Sequence, residues 1–166
     1  YVLENPRLFP GVLGTVADMF QVEEEFHDAL ESGLGELSHC LIATNKKEAI
    51  STLEKARKNQ AGDFSVIPLK EATKLKTDLK NIPKNKLVIK RASDLVKTSK
   101  EFEPLAHYLL GNLLIVTDLQ KSLQSKDFEG WGLVDLSGAY SGSDLILKSR
   151  QVSEHGNLMG RQKKLD

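Results

Sequence analysis

Four consecutive apolar residues, Leu113-Leu-Ile-Val116, stand between Gly111-Asn112 and Thr117-Asp118, and they constrain this chain more than any other feature. A run this short and this uniformly apolar, set between turn residues, predicts a strand covered on both faces. Tyr108-Leu-Leu110 before it reads as a helix end, and Asp118 after it as the start of a new helix. On its own the pattern is an α/β element and says nothing of chemistry.

At 166 residues the chain fits one domain or two small lobes and can bury one substantial core. Its 40% hydrophobic and 28% charged content is that of an ordinary globular protein. No apolar run approaches the roughly 20 residues that a membrane-spanning helix needs. The opening Tyr1-Val-Leu-Glu-Asn-Pro6 lacks both an initiator Met and the regions of a signal peptide, so the expectation is a piece of a longer protein. A single cysteine, Cys40, excludes an internal disulfide and agrees with a reducing cytosol. The net charge is zero but unevenly spread. Asp18 to Glu36 holds seven acids and no Lys or Arg, whereas Lys70 to Lys100 holds ten bases against three acids. Such polarity could steer a polyanion or orient subunits, or simply solvate two surfaces.

Pro6, Pro10, Gly11 and Gly14 predict an ordered loop from 6 to 14, followed by a short strand within Thr15–Val22 with Val16 and Met19 partly buried. Val22, Phe26, Ala29, Leu30, Gly33, Leu34 and Leu37 recur at helical spacing and predict a helix over Val22–Leu37, its acids gathered in the first turns. Gly33 and Gly35 suggest its end or a close approach by a neighbouring backbone. Cys40–Ala43 reads as a buried strand. Asn45 then caps a helix over Lys46–Lys58, with Ala49, Ile50, Leu53 and Ala56 inward. Asp63 to Leu69 alternates and reads as a strand, with Phe64, Val66 and Ile67 inward, and Pro68 suggests an edge or the strand's end. The Lys-rich segment 70–100 reads as short elements over a surface, with Leu87-Val-Ile89 as a strand. A helix over Glu103–Leu110 follows, with Pro104 in its first turn and Leu105, Tyr108 and Leu109 inward. Leu119–Leu123 reads as a short helix. Trp131–Leu136 and Leu145–Leu147 read as strands joined by the hairpin-like loop Ser137–Ser143.

No catalytic set emerges. His27, His39, His107 and His155 lie at least twelve positions apart, so no local metal spacing exists. His39 and Cys40 are adjacent, and neighbours on a strand point to opposite faces, which rules them out as a nucleophile–base pair. Gly138-Ala-Tyr-Ser141-Gly142 lacks the spacing of a nucleophile elbow, and no phosphate loop is present. Gly11-Val-Leu-Gly14 could form a backbone nest for an anion, or only a tight turn. The basic string around Lys86-Leu-Val-Ile-Lys90-Arg91 and a second set at Lys148, Arg150, Arg161, Lys163 and Lys164 could neutralise phosphates. Few aromatics lie near them, which argues against stacking on single strands.

Five strings give the chain a family likeness. Pro10-Gly-Val-Leu-Gly-Thr-Val-Ala-Asp-Met19 resembles a "GxxGxVADL" opening. Ala29-Leu-Glu-Ser-Gly-Leu-Gly35 with Leu41-Ile42 is similar to a helix-to-strand passage "ALGxxL…VV". Phe64 to Leu69 resembles "xFLPL", Tyr108 to Leu119 resembles "YLLGxxLVVxDL", and Asn157-Leu-Met-Gly-Arg161 resembles "SLLGR". In register, over Phe9 to Leu165, they resemble the hinge domain of the structural maintenance of chromosomes (SMC) proteins, of the bacterial chromosome-partition type. The resemblance implies an α+β fold with a mostly helical first lobe, at about 9–85, and a small α/β sandwich second lobe, at about 86–156. It also implies a returning coiled-coil arm starting at 157–166. It implies a non-enzymatic, cofactor-free and metal-free module that homodimerises in the cytoplasm, at the nucleoid, and joins two arms, with any ATPase head lying elsewhere. Glycine-rich turns and strand edges would form the seam: Gly111, Asn112, Gly138, Gly142, Leu145, Ile146 and Leu147. DNA contact would be weak and non-specific, through Lys148, Arg150, Arg161, Lys163 and Lys164. No membrane contact and no binding of other condensin subunits to this piece are expected. One departure stands: where the family has paired glycines before the return arm, this chain has Leu147-Lys-Ser-Arg-Gln151. Either the seam is built differently there or the register slips. The competing readings are a heterodimerising hinge of another SMC-type chain, or a small α/β enzyme whose residues converge only in three dimensions.

Overall fold

The computed structural model describes residues 2–3, 6–59, 62, 64–74 and 79–142, together with the backbone of 147–148. The chain folds as α+β around two sheets. The first holds β1 (Val12–Thr15), β2 (Leu41–Ala43) and β3 (Val66–Pro68) in that order, with β1–β2 antiparallel and β2–β3 parallel. The second holds β4 (Val88–Arg91), β5 (Leu113–Val116), β6 (Gly132–Asp135), β7 (Tyr140–Ser141) and β8 (Leu147–Lys148), with β5–β6 parallel and its other pairs antiparallel. Helices α1 (Val16–Met19), α2 (His27–Leu34), α3 (Lys46–Lys58), α4 (Leu69–Ala72), α5 (Glu103–Leu110) and α6 (Leu119–Leu123) connect and cover them.

β5 is the strand the sequence announces. All four of its residues are buried, and they alternate between two cores as the pleat requires. Leu113 and Ile115 join the main cluster with Val16, Phe20, Leu30, Leu34, Ile42, Leu105, Leu110 and Val134. Leu114 and Val116 point the other way, into a cluster with Phe128, Trp131 and Leu133 that α6 and Leu87 help to close. β2 divides in the same manner. Ile42 enters the main core, while Leu41 meets Phe9 and Ala56 of α3 on the outer side of the first sheet. Helices α2 and α5 therefore lie in a shared middle layer between the two sheets. The missing side chain of Gly33 makes room there: a Cβ would stand 2.3 Å from Leu113 Cδ2.

Local chemistry accounts for several departures from the sequence expectation. The strand expected within Thr15–Val22 lies earlier, at Val12–Thr15, and Val16–Met19 is a helical turn. Thr15 and Asp18 form a reciprocal capping box, at 3.2 Å from the Asp18 amide to Thr15 Oγ1 and 3.0 Å from the Thr15 amide to Asp18 Oδ2. The helix expected over Val22–Leu37 is divided. Only His27–Leu34 is α-helical, with 3₁₀ turns at Glu24–Phe26 and Gly35–His39, because Gly35 takes a φ of +56° and closes it. Leu37 is left exposed. In α3 the inner face is Ala49, Thr52 and Ala56, not Ile50 and Leu53, which are 47% and 46% exposed. Thr52 tolerates burial because its hydroxyl donates to the Glu48 carbonyl at 2.8 Å. Tyr108 is likewise outward, since Leu105, Ala106 and Leu110 already fill the inner face of α5. The loop expected over Ser137–Ser143 contains β7, so the hairpin closes at 136–139. The last strand is observed at Leu147–Lys148, while Leu145 and Ile146 lie outside the described residues.

Asn45 Oδ1 accepts from the Glu48 amide at 2.9 Å and starts α3. Asn45→Ala should lower stability by about 1 kcal/mol in urea denaturation, the usual cost of losing such a cap; an unchanged midpoint would assign the start of α3 to packing alone.

Candidate assembly surface

The seam residues expected from the sequence are divided by the strand directions. Gly111 and Asn112 precede β5, and Gly142 follows β7. Because β5 and β6 are parallel and β7 is antiparallel to β6, all three lie at one end of the second sheet, beside Gly132. Gly138 lies at the other end, in the turn after β6. Leu147 belongs to β8, an edge strand of the sheet, whose side chains are not described. Leu145, Ile146, Arg150, Arg161, Lys163 and Lys164 lie outside the described residues, and of Lys148 only the backbone is given.

Two of these glycines have work inside the chain. Gly111 is buried at the end of α5, and a Cβ there would come within 2.3 Å of the His107 carbonyl oxygen and 2.7 Å of Leu79 Cδ2. Its own carbonyl accepts from Arg91 Nη1 at 2.7 Å. Gly138 adopts a φ of +96°, which side-chain-bearing residues rarely adopt. Its carbonyl accepts from the buried Ser32 hydroxyl at 2.6 Å, tying α2 to this turn. Asp135 braces the same turn, with its carboxylate accepting from the amides of Ser137 and Ala139 at 2.9 and 3.1 Å. Asn112 is exposed, and its carbonyl accepts from the Gly132 amide at 2.9 Å.

Strand edges are the other requirement of a seam built from main chain. β1 and β3 bound the first sheet, and β4 and β8 bound the second. The halves are joined by a two-residue antiparallel bridge, Gln21 to Lys97, with amide-to-carbonyl distances of 2.9 and 2.7 Å. Thr98 adds a hydroxyl bond to the Met19 carbonyl at 2.7 Å.

The basic string Lys86–Arg91 does not act as one patch. Lys86 and Lys90 are exposed, but Arg91 is 6% exposed and turned inward. It donates to the carbonyls of Gly111 and Lys80, and its guanidinium stands 5.3 Å from the centroid of the Trp131 ring. Sequence reading missed this group. The available signal was the lone Trp, which needs polar company when buried, beside a strand that ends in Arg.

Reactive chemistry is sparse among the described residues. Among the described residues no group of three or more His, Cys, Asp and Glu side chains converges to hold a metal ion, and no helix is long and apolar enough to cross a membrane. Burial pushes the Cys40 thiol above its ordinary range, with nearby Glu36 adding to the shift and a Ser65 hydrogen bond opposing it.

This architecture, with short paired sheets about a shared helical layer, defines a hinge-type α+β domain, and comparison with known proteins gives the family. A family model described as the SMC proteins Flexible Hinge Domain matches residues 9–125. The chain belongs to that family, whose hinge domain is a dimerisation module. The chromosome partition protein Smc of Halothermothrix orenii is 25% identical over 170 residues, covering 99% of this chain and 14% of that protein. The Mesomycoplasma hyorhinis protein of the same name is 27% identical over 124 residues, covering 73% and 13%. The chain thus spans a small part of the length of these relatives. The fold is that of the Geobacillus stearothermophilus SMC hinge domain, solved as an asymmetric dimer, with a TM-score of 0.86 at 20% identity over 99% of this chain and 68% of that one. The Pyrococcus furiosus SMC hinge domain gives 0.72 at 18% identity, over 90% and 79%.

Two measurements check this description. Gly111→Val should destabilise the single chain by roughly 2–3 kcal/mol through overpacking against the end of α5. A full-stability variant in thermal unfolding would show that the end of α5 can give way. For Cys40 the folded thiol titrates above its unfolded value. Its contribution to stability is therefore complete below the ordinary thiol range and is lost as pH rises through the folded value. Labelling by a thiol reagent should be slow at neutral pH and accelerate with unfolding; rapid stoichiometric labelling of the native chain would contradict the burial.

Proposed function

We propose that this chain is the homodimerisation hinge of a chromosome condensation and segregation ATPase of the bacterial Smc type. The observation that carries the proposal is the family match over residues 9–125, joined to a fold likeness that extends over 99% of the chain. On this reading residues at about 9–85 and 86–156 are the two lobes, and each lobe of one copy meets the opposite lobe of the other. A two-fold arrangement of that kind uses one self-complementary surface twice. The edge strands β1, β3, β4 and β8, each paired on one side among the described residues, support a seam made by strand addition, in which main-chain bonds supply the contact and small residues permit the approach. Gly138, Gly142, Asn112 and the strand holding Leu147 are the seam candidates, with Leu145 and Ile146 beside it. Gly111 contributes by shaping the end of α5.

Residues 157–166 would begin the returning arm of an antiparallel coiled coil. ATP hydrolysis belongs to a head domain elsewhere in the parent protein, which works in the cytoplasm at the nucleoid. DNA meets the hinge weakly and without sequence preference through Lys148, Arg150, Arg161, Lys163 and Lys164, by neutralising phosphates. The hinge binds no membrane, and other condensin subunits bind elsewhere on the parent.

Two differently tagged copies, unfolded together and refolded, should co-purify as a mixed species at the statistical proportion. Recovery of each tag alone, with the chain folded, would favour a different SMC chain as partner. For DNA, reversing the charge of Arg161, Lys163 and Lys164 together should weaken binding and reduce the slope of log affinity against log salt by about 2–3. An unchanged titration would remove these residues from the contact.

A further inference from the structure

Residues 79–87 run along the outer apolar cluster of the second sheet, from one end of β5 to the other. Leu79 abuts Gly111 at the start, and the Leu87 carbonyl accepts from the Thr117 amide at 2.9 Å at the finish. The segment is thinly attached between these points. Leu79 and Ile82 are 41% and 38% exposed. Among the described residues, the hydrogen bonds that tie 79–84 to the sheet pass through Lys80 alone. Its carbonyl accepts from Arg91 Nη2, and its Nζ donates to the Gly130 carbonyl at 3.1 Å. The Lys80 ammonium also stands 5.2 Å from the Trp131 ring centroid. Farther along, Asn85 Nδ2 donates to Asp127 Oδ2 at 3.1 Å, an exposed pair.

Arg91 makes this attachment different from ordinary surface packing. Among the described residues the groups it meets are two carbonyl oxygens and an aromatic face, with no carboxylate. A guanidinium cannot shed its proton, so its burial is offset only while those partners stay in place or water replaces them. Lifting 79–87 withdraws the Lys80 carbonyl but admits water to the charge, so part of the lost interaction is regained on opening. The apolar loss is chiefly Leu87 from the outer cluster, and the main-chain loss is chiefly the Thr117–Leu87 bond. β5, by contrast, is buried on both faces and can open only with the whole domain.

We propose that residues 79–87 form a strap that opens as a local unit, clasped by Arg91 and Lys80 on Trp131. Opening bares the Trp131 ring and the Gly111 end of β5, so the strap controls access to one end of the second sheet. Every group in the clasp belongs to one copy of the chain. The inference is therefore independent of the dimer reading.

Trp131 is the one tryptophan of the sequence, and its fluorescence reports on the clasp and on the outer cluster to which the ring belongs. Acrylamide quenching of the 166-residue chain, followed through sub-denaturing urea beside far-ultraviolet circular dichroism, tests the opening. Quenching should rise about threefold before the helical signal changes, as local opening requires. Lys80→Ala, at an exposed position, should raise quenching without urea by a similar factor and leave the melting temperature unchanged. Arg91→Lys keeps the charge but loses the two-carbonyl fork, and it should raise quenching also. Trp131 accessibility that rises only in step with loss of helix, or a Lys80→Ala chain quenched like the parent, would overturn the proposal. So would quenching that follows protein concentration and not urea, since association would then govern access to the ring.

Discussion

Burial of β5 on both faces is the constraint on which the rest of this structure depends. Each of its four side chains is worth on the order of 2 kcal/mol when removed from water, and two different cores claim them alternately. A slip of one residue would exchange Leu113 and Ile115 for Leu114 and Val116, sending each pair into a space shaped for the other. The register is therefore fixed from both sides. β4 and β6 take their positions from it, and α2 and α5 are held against it by the main core. Because that core also contains Val16, Phe20 and Ile42 from the first half of the chain, the two sheets are not separate bodies joined by a linker.

That coupling bears on what a hinge must do. A module that joins two long arms needs a block stiff enough to hold their relative direction, with deformable parts confined to its margins. Here the stiff part is the shared middle layer. The ties between halves are short: a main-chain bridge at Gln21–Lys97, and hydroxyl bonds from Thr98 to the Met19 carbonyl and from Ser32 to the Gly138 carbonyl. The margins are the edge strands and the thinly held 79–87 segment.

Much of the fold was legible in the sequence wherever local chemistry and burial agree. Leu113–Val116 declared itself through uninterrupted apolarity, α3 through Asn45, and α5 through Pro104 and the glycine after it. The errors fall where a tertiary partner outbids a local pattern. Ile50 and Leu53 sit at helical spacing, yet the small Ala49, Thr52 and Ala56 take the inner face because the sheet lies close beneath α3. Tyr108 looked inward by periodicity and is outward because the middle layer is already full. At Thr15 the reciprocal bond with Asp18 was present in the sequence as a capping signature, and it turns the chain into a helix where a strand was expected. The seam residues were an expectation drawn from the family likeness alone. Strand directions, which no spacing encodes, place Gly138 at the opposite end of the sheet from Asn112 and Gly142. Arg91 was hidden among surface bases because nothing local distinguishes a buried guanidinium from a solvated one.

Self-association is the claim from which the functional reading follows, and the mass of the chain in solution decides it. Sedimentation velocity across a dilution series should give one species at twice the 18.4 kDa of a single chain, dissociating only on dilution. A folded species that stays at the mass of one chain through high micromolar concentration would contradict it.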